Sequence, residues 1–302
     1  MQGGKPGMDR PLRGIALFVA ATVLFSLSDA TAKYLTGALP PIEIAWVRYC
    51  VFVLLAASPL VRTGRAGARV RRPMLQILRG LGVVGSAVLF IASLASLPMA
   101  EATTVGFASP LLITVLAIPL LGERVGPSGW IAVCAGFIGV LIVARPGTSE
   151  FHPAVVLVLL SSLCWSMAML ITRRMATTER ASATLLWSAC TGLAMLSLML
   201  PFVFRVPDLK SVGLALVIGL VASGGQWLTV LAYRQATASL LAPLSYAQLI
   251  WSSALGYFVF GAAPDRWTLV GAAIIAASGF YTVHHARMQL RERQPVAAVR
   301  AG

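Results

Sequence analysis

Apolar runs of about 20 residues recur along nearly the whole chain, each long enough to cross a hydrocarbon core of about 30 Å. Only short polar connections separate them, many marked by proline: Pro40-Pro41, Pro98, Pro127, Pro146, Pro153 and Pro264. No water reaches the middle of a bilayer, so every backbone N–H and C=O there must be satisfied internally. Only helices and closed barrels meet that condition. No segment alternates polar and apolar residues with the period of a barrel strand. The expected fold is therefore an all-α polytopic membrane protein. The spacing predicts ten transmembrane helices, near 14–33, 42–61, 77–97, 101–121, 128–145, 154–173, 182–204, 211–233, 236–260 and 267–285. Composition agrees, with 58% hydrophobic and 11% charged residues, against about 25% charged in a soluble globule.

A net charge of +14 would point to nucleic acid in a soluble chain, but here the basic residues sit between the apolar runs. Eighteen Lys and Arg fall on the side shared by both termini, among them Arg13, Arg62, Arg79, Arg124, Arg173, Arg234 and the arginines of the tail. Five fall on the other side, namely Lys33, Arg145, Arg205, Lys210 and Arg266, and Arg48 lies within a span. Basic loops stay in the cytoplasm, which places both termini there and fits an even helix count. The opening basic segment and apolar run resemble a secretory leader. The run is long for one and lacks a small-x-small cleavage site, so it reads as a retained first helix. Cys50, Cys134, Cys164 and Cys190 all fall in apolar runs without paired spacing and read as small buried hydrophobes.

Shifting the chain by about 140 residues lays Ser26 on Ser166, Lys33 on Arg173, Gly85 on Gly225, Ala92 on Ala232 and Gly139 on Gly279. The expected organisation is a cytoplasmic tail (1–13), a five-helix repeat (14–145), a second five-helix repeat (146–286) and a basic cytoplasmic tail (287–302). Each half has an odd number of helices, so the second enters the membrane upside down. Inverted repeats of this kind mark secondary transporters, with a substrate site near the midplane between the halves.

The polar residues inside the spans are the candidate site. Asp29 and Lys33 lie four apart on one face of the first helix, and Arg48 sits within the second. Charge at that depth costs roughly 2.5–3.5 kcal/mol per residue on insertion scales, so it faces partners or a water-filled cavity. Two readings stand side by side: a charged, proton-coupled pocket of Asp29, Lys33 and Arg48, or a static salt bridge locking the first two helices. Lys33 also fits a snorkelling role, and Glu43 and Glu101 lie nearer the rim. At half depth, Gly224-Gly225-Gln226-Trp227 in the eighth helix brings backbone, amide and indole together, and Gln248 does the same in the ninth. Trp165 in the sixth helix is far from the interface where tryptophan usually sits. These residues face either substrate or neighbouring helices. Pro110, Gly224, Gly225 and Pro243 are hinge candidates, since proline and paired glycine allow kinks; small residues serve close helix packing equally well. Glu123-Arg124 reads as a cap at the cytoplasmic rim.

Catalysis finds no support in the motifs. There is no Gly-x-Ser-x-Gly, His-Glu-x-x-His or phosphate-binding glycine loop. His284-His285 at a helix end does not make a metal site. No cofactor, metal or nucleic-acid partner is expected; the expected partners are a small-molecule substrate, the lipid bilayer and a coupling proton. An integral-membrane enzyme acting on lipid head groups is the alternative. It would need a nucleophile or metal ligands beside Glu43, Glu101 and Lys33.

Taken together, Phe25-Ser26 with Lys33, Arg48, Pro110-Leu111, Leu121-Gly122-Glu123-Arg124, Gly136, Gly139-Val140 and Arg145-Pro146 resemble the drug/metabolite transporter superfamily, specifically EamA-type ten-helix carriers. Ala236-Thr237-Ala238-Ser239-Leu240, Tyr246-Ala247-Gln248, Phe260-Gly261, Asp265, Gly271 and Gly279 answer in the second half. The resemblance covers roughly residues 13–286. It departs at Gly261-Ala262-Ala263, where such carriers often have a glutamate, and at Gln248, where a mid-helix proline is common. The resemblance implies alternating access in the inner membrane, with export favoured over uptake. Similar bacterial proteins move S-adenosylmethionine, amino acids, riboflavin or amino-acid-derived metallophores. Of these, a small zwitterionic amino-acid derivative best suits a pocket of Asp29, Arg48, Gln226, Gln248 and aromatics.

Overall fold

The computed structural model describes residues 11–58, 69–122, 125–149, 151–175, 178–235 and 241–281, and these contain helices and no strand. In chain order the helices are α1 (Pro11–Leu35), α2 (Pro41–Ala57), α3 (Pro73–Leu94), α4 (Met99–Gly106), α5 (Ala108–Leu121), α6 (Pro127–Ala144), α7 (Ala154–Met175), α8 (Ala181–Met199), α9 (Leu209–Gln235), α10 (Ala247–Phe260) and α11 (266–281). Short 3-10 turns follow α8 (Leu200–Phe202) and precede α10 (Ala242–Tyr246). Pro41, Pro73 and Pro127 open their helices, where a missing N–H costs nothing and the fixed φ favours the helix. Gly122 and Gly261 close α5 and α10 with φ of 69° and 65°, a left-handed conformation that glycine adopts without strain.

Seven stretches among the described residues are long and apolar enough to cross a membrane, and one of them, Met99–Leu121, includes both α4 and α5. The fourth span, expected as one helix over 101–121, is broken at Phe107 (φ −70°, ψ 5°). Pro110 has no N–H to offer the carbonyl four residues back, which is that of Gly106. Ser162 of α7 takes over, its hydroxyl donating to the Gly106 oxygen at 3.1 Å. The ninth span, expected as a helix over 236–260, enters α10 through the 3-10 turn containing Pro243; residues 236–240 lie outside the described residues. Glu123, Arg124, His284 and His285 do so as well.

The chain is built as two repeats that grip each other crosswise. α1 packs on α9 and α10 of the second half, while α7 packs on α3 and α5 of the first. Small residues make these approaches close. A Cβ on Gly225 would lie 2.8 Å from the Phe25 ring, and one on Gly82 would lie 2.9 Å from the Cys164 carbonyl oxygen. The hydroxyls of the matching serines repeat the exchange: Ser26 of α1 reaches the Gln248 carbonyl at 3.5 Å, and Ser166 of α7 reaches that of Ser109 at 3.0 Å. α5 and α10 are themselves a matched pair, each 14 residues long and each ended by a left-handed glycine. The shared core runs through Leu35, Ile44, Ile91, Leu94, Leu97 and Met99, all nearly inaccessible.

Arg79 corrects the sequence reading. Counted above on the cytoplasmic side, at the start of the helix expected near 77–97, it is the seventh residue of α3 and is 8% exposed. α3 begins at Pro73 rather than near 77, which carries Arg79 about 9 Å into the bundle at 1.5 Å per residue.

Candidate functional site

The candidate site lies where α1 meets the broken fourth and ninth spans. Asp29 is half-buried on the inner face of α1, flanked by buried Ser28 and Ala30. Its carboxylate accepts a hydrogen bond from Nε2 of Gln248 at 3.3 Å, one residue into α10. This bond joins the two halves, since 219 residues separate its partners. Arg48, half-buried on α2, acts electrostatically on both Asp29 and Tyr49. It makes no hydrogen bond or ion pair among the described residues. A guanidinium held near a carboxylate without a bidentate contact can attract either that carboxylate or an incoming anion.

The helix breaks supply the aromatic wall. Phe107, between α4 and α5, and Tyr246, at the entrance to α10, approach with centroids 4.9 Å apart and planes tilted by 32°. Phe280 of α11 extends the row, 6.0 Å from Tyr246. Gly279 leaves the room for Tyr246: a Cβ there would run into the phenol. Three buried polar atoms nearby in the fold lack a partner among the described residues, Ser28 Oγ of α1, Thr103 Oγ1 of α4 and Trp251 Nε1 of α10. α10 packs on both α1 and α4, so polar groups without partners gather at this meeting of helices. Buried polar groups are costly without partners, which fits an interior that water or a ligand enters.

The remaining candidates are distributed around this centre. Lys33 is on the same helix as Asp29, but its ammonium donates to the carbonyls of Leu94 (2.8 Å) and Leu97 (2.6 Å) and lies 5.5 Å from the Phe260 ring centroid. It caps the exit of α3, where the last carbonyls of a helix have no intrahelical donors. Trp227 is 60% exposed and falls on one stripe of α9 with exposed Leu216 and Leu220, the face a membrane helix turns to lipid. Gln226 and Trp165 are half-buried and make no side-chain hydrogen bond among the described residues. α9 runs unbroken through Gly224 and Gly225, and the Phe25 ring fills the space beside Gly225. Pro110 is exposed in the first turn of α5, and Pro243 lies in the 3-10 turn.

A second charged group lies at the end of the bundle that carries Lys33. Arg145 closes α6 with φ 46° and pairs with Asp265, which also accepts from the Thr268 N–H at 2.8 Å. Burial raises the Asp265 carboxyl, but the Thr268 bonds and Arg145 outweigh it and hold the group below its ordinary value. Glu43, buried in the first turn of α2, accepts from the Arg205 N–H at 3.1 Å. At the opposite end, Glu179 accepts from the backbone N–H groups of Arg71 (2.8 Å) and Arg72 (2.9 Å), tying the approach to α3 to the loop before α8.

Comparison with known proteins agrees with this architecture. The model of the EamA-like transporter family matches residues 12–145 and again 152–283. A riboflavin transporter of Rhizobium johnstonii is 30% identical over 95% of this chain and 95% of its own. An S-adenosylmethionine uptake transporter of Rickettsia prowazekii is 28% identical, covering 93% of this chain and 96% of the relative. A pseudopaline exporter of Pseudomonas aeruginosa is 25% identical over 88% and 94%. A solved crystal structure superposes with a TM-score of 0.63 over 91% of this chain and 98% of its own, at 22% identity, which shows a shared fold. The chain belongs to the EamA-like transporter family and is a multi-pass membrane transporter of a small metabolite.

Proposed function

We propose that this EamA-like carrier moves a small zwitterionic, amino-acid-derived metabolite across the cytoplasmic membrane by alternating access of two oppositely inserted halves. The observation that carries this reading is the bond from Gln248 to Asp29, with Arg48 beside it. One carboxylate and one guanidinium, set where the halves meet, offer complementary partners to an ammonium and a carboxylate. Phe107 and Tyr246 supply an apolar wall next to them. Asp29 is the group that exchanges a coupling proton in this reading, and Arg48 responds to its charge. The excess of basic residues on the side of the termini supports a cytoplasmic location for both. Lys33 and Trp227 play structural parts, one capping α3 and the other facing lipid.

Flux in proteoliposomes tests the proposal, with labelled S-adenosylmethionine and riboflavin as probes and the imposed gradient run in both directions. A carrier of amino-acid derivatives moves the first in preference to the second, and the sign of net flux under a proton gradient reads export or uptake. Asp29→Asn and Arg48→Ala should each lower the rate by at least tenfold, about 1.4 kcal/mol of barrier. Wild-type rates in both variants at normal expression would sink the charged-site reading. Comparison of metabolites in the medium of expressing cells then identifies substrates outside the probe pair.

A further inference from the structure

Arg79 is a charge in the protein interior for which the carrier mechanism above has no use. It lies where α3, α7 and α8 meet. Its Nε donates to Thr172 Oγ1 at 2.7 Å, and one terminal nitrogen donates to Ser188 Oγ and to the Thr184 carbonyl oxygen at 3.5 Å. The other terminal nitrogen, Nη2, makes no hydrogen bond among the described residues. Among the described residues no carboxylate forms an ion pair with it. Asp29 is engaged by Gln248, Glu43 by the Arg205 backbone, Glu179 by the α3 approach and Asp265 by Arg145. Leaving a guanidinium buried and uncompensated is strongly unfavourable, and neutral hydroxyls offset that only in part.

A second observation points the same way. Gln76 is one turn before Arg79 on the same face of α3 and is fully buried. Its Nε2 donates to Thr184 Oγ1 at 3.0 Å, while its Oε1 has no partner. Both side chains thus converge on Thr184, and each keeps one polar atom uncommitted. The surroundings are shaped for close approach. A Cβ on Gly80 would lie 2.7 Å from Thr191 Cβ, and Gly192 of α8 lies against the ring of Tyr49. The Tyr49 ring is buried, and both Arg48 and Arg79 act on it electrostatically.

We infer that Arg79, with Gln76, Thr184 and Ser188, forms an anion subsite that holds the carboxylate of the transported molecule on the side of the termini. The inference rests on the carrier reading and adds to it a second station for the substrate carboxylate, apart from Arg48. Nη2 presents its N–H donors to a carboxylate oxygen, a charge-assisted contact stronger than one between neutral groups. Gln76 presents an acceptor to an accompanying ammonium or hydroxyl. A molecule leaving Arg48 passes the Tyr49 ring and meets a second cation, so the negative group is never without a partner.

Charge-selective labelling tests the subsite without requiring flux. Cys50, Cys134, Cys164 and Cys190 are replaced in the full-length chain, and Ser188→Cys is introduced; Thr184→Cys serves as the second reporter if the first does not fold. Reaction with an anionic sulfonatoethyl methanethiosulfonate is compared with its cationic trimethylammonium counterpart, each normalised to free cysteine. With Arg79 present, the anionic reagent should react faster by about tenfold. Arg79→Gln should remove that preference, and acetate should slow anionic labelling only while Arg79 is present. Absence of labelling at both reporters, a preference that survives Arg79→Gln, or indifference to acetate would each overturn the inference. A protein that passes these tests but moves no probe metabolite counts against the carrier reading alone.

Discussion

The rings of Phe107 and Tyr246 lie 4.9 Å apart, each at the residue where its span ceases to be a continuous α-helix. The two breaks therefore touch, and the contact between the repeats is made at the least regular point of each. Gly279 of α11 supports Tyr246 from behind. Gly279→Ala should destabilise the protein by about 1–3 kcal/mol through overpacking. Adding Tyr246→Ala should restore part of that loss, because residues in contact are not additive. Thermal unfolding in detergent reads both; equal and additive losses would show that the two residues do not share the space.

Lys33 gives the clearest separation of structure from transport. Its two charge-assisted bonds to Leu94 and Leu97 hold the end of α3. Lys33→Met should cost about 2–3 kcal/mol of stability, with Lys33→Arg recovering part of it. Flux per folded molecule should remain near wild type. An unchanged melting temperature with abolished flux would return Lys33 to the transport machinery.

Trp227 should be replaceable. With 60% of its surface exposed beside Leu216 and Leu220, Trp227→Leu keeps the stripe apolar. Initial transport rates should stay within about twofold, less than 1.4 kcal/mol. A tenfold loss in correctly inserted protein would place the indole against substrate instead.

Asp265 predicts a pH effect with a defined sign. Its carboxyl is held below the ordinary value by the Thr268 bonds and Arg145, which outweigh burial. A depressed folded pKa stabilises the ionised form, so the contribution is complete above the unfolded value of about 3.9. It is lost as the pH falls through the lower folded value. Asp265→Ala should cost about 1 kcal/mol at neutral pH as a lost cap of α11, and the two melting curves should converge toward pH 3. A gap that persists undiminished at that pH would exclude the carboxylate as its cause.

The sequence disclosed most of the fold because its determinants are local. Pro41, Pro73 and Pro127 mark helix starts, Gly122 marks an end, and the apolar run lengths fix the spans. Of the break at Phe107, only the kink candidate Pro110 was legible. The proline stands three residues after the break, whose relief comes from Ser162 on another helix. Lys33 was visible as a charge, but its carbonyl partners lie more than 60 residues away. Asp29 and Gln248 were each read as facing either a cavity or a neighbouring helix, and their bond is a tertiary fact that neither segment encodes alone. Arg79 was missed because a helix start displaced by four residues turns a cation of the first turn into a buried one. Its one available signal was Gln76, a second polar residue spaced to share its face.

The crosswise grip of the halves bears on how such a chain could arise. Ser26 of the first half holds the second half's broken span, and Ser166 of the second half holds the first's. Neither half encloses its own broken span, so a five-helix unit alone would be an incomplete fold. Two copies of one ancestral unit would complete each other by making both grips at once. Fusion would then have fixed a partnership that already existed, leaving each copy free to diverge, as Asp29 and its counterpart Met169 have done.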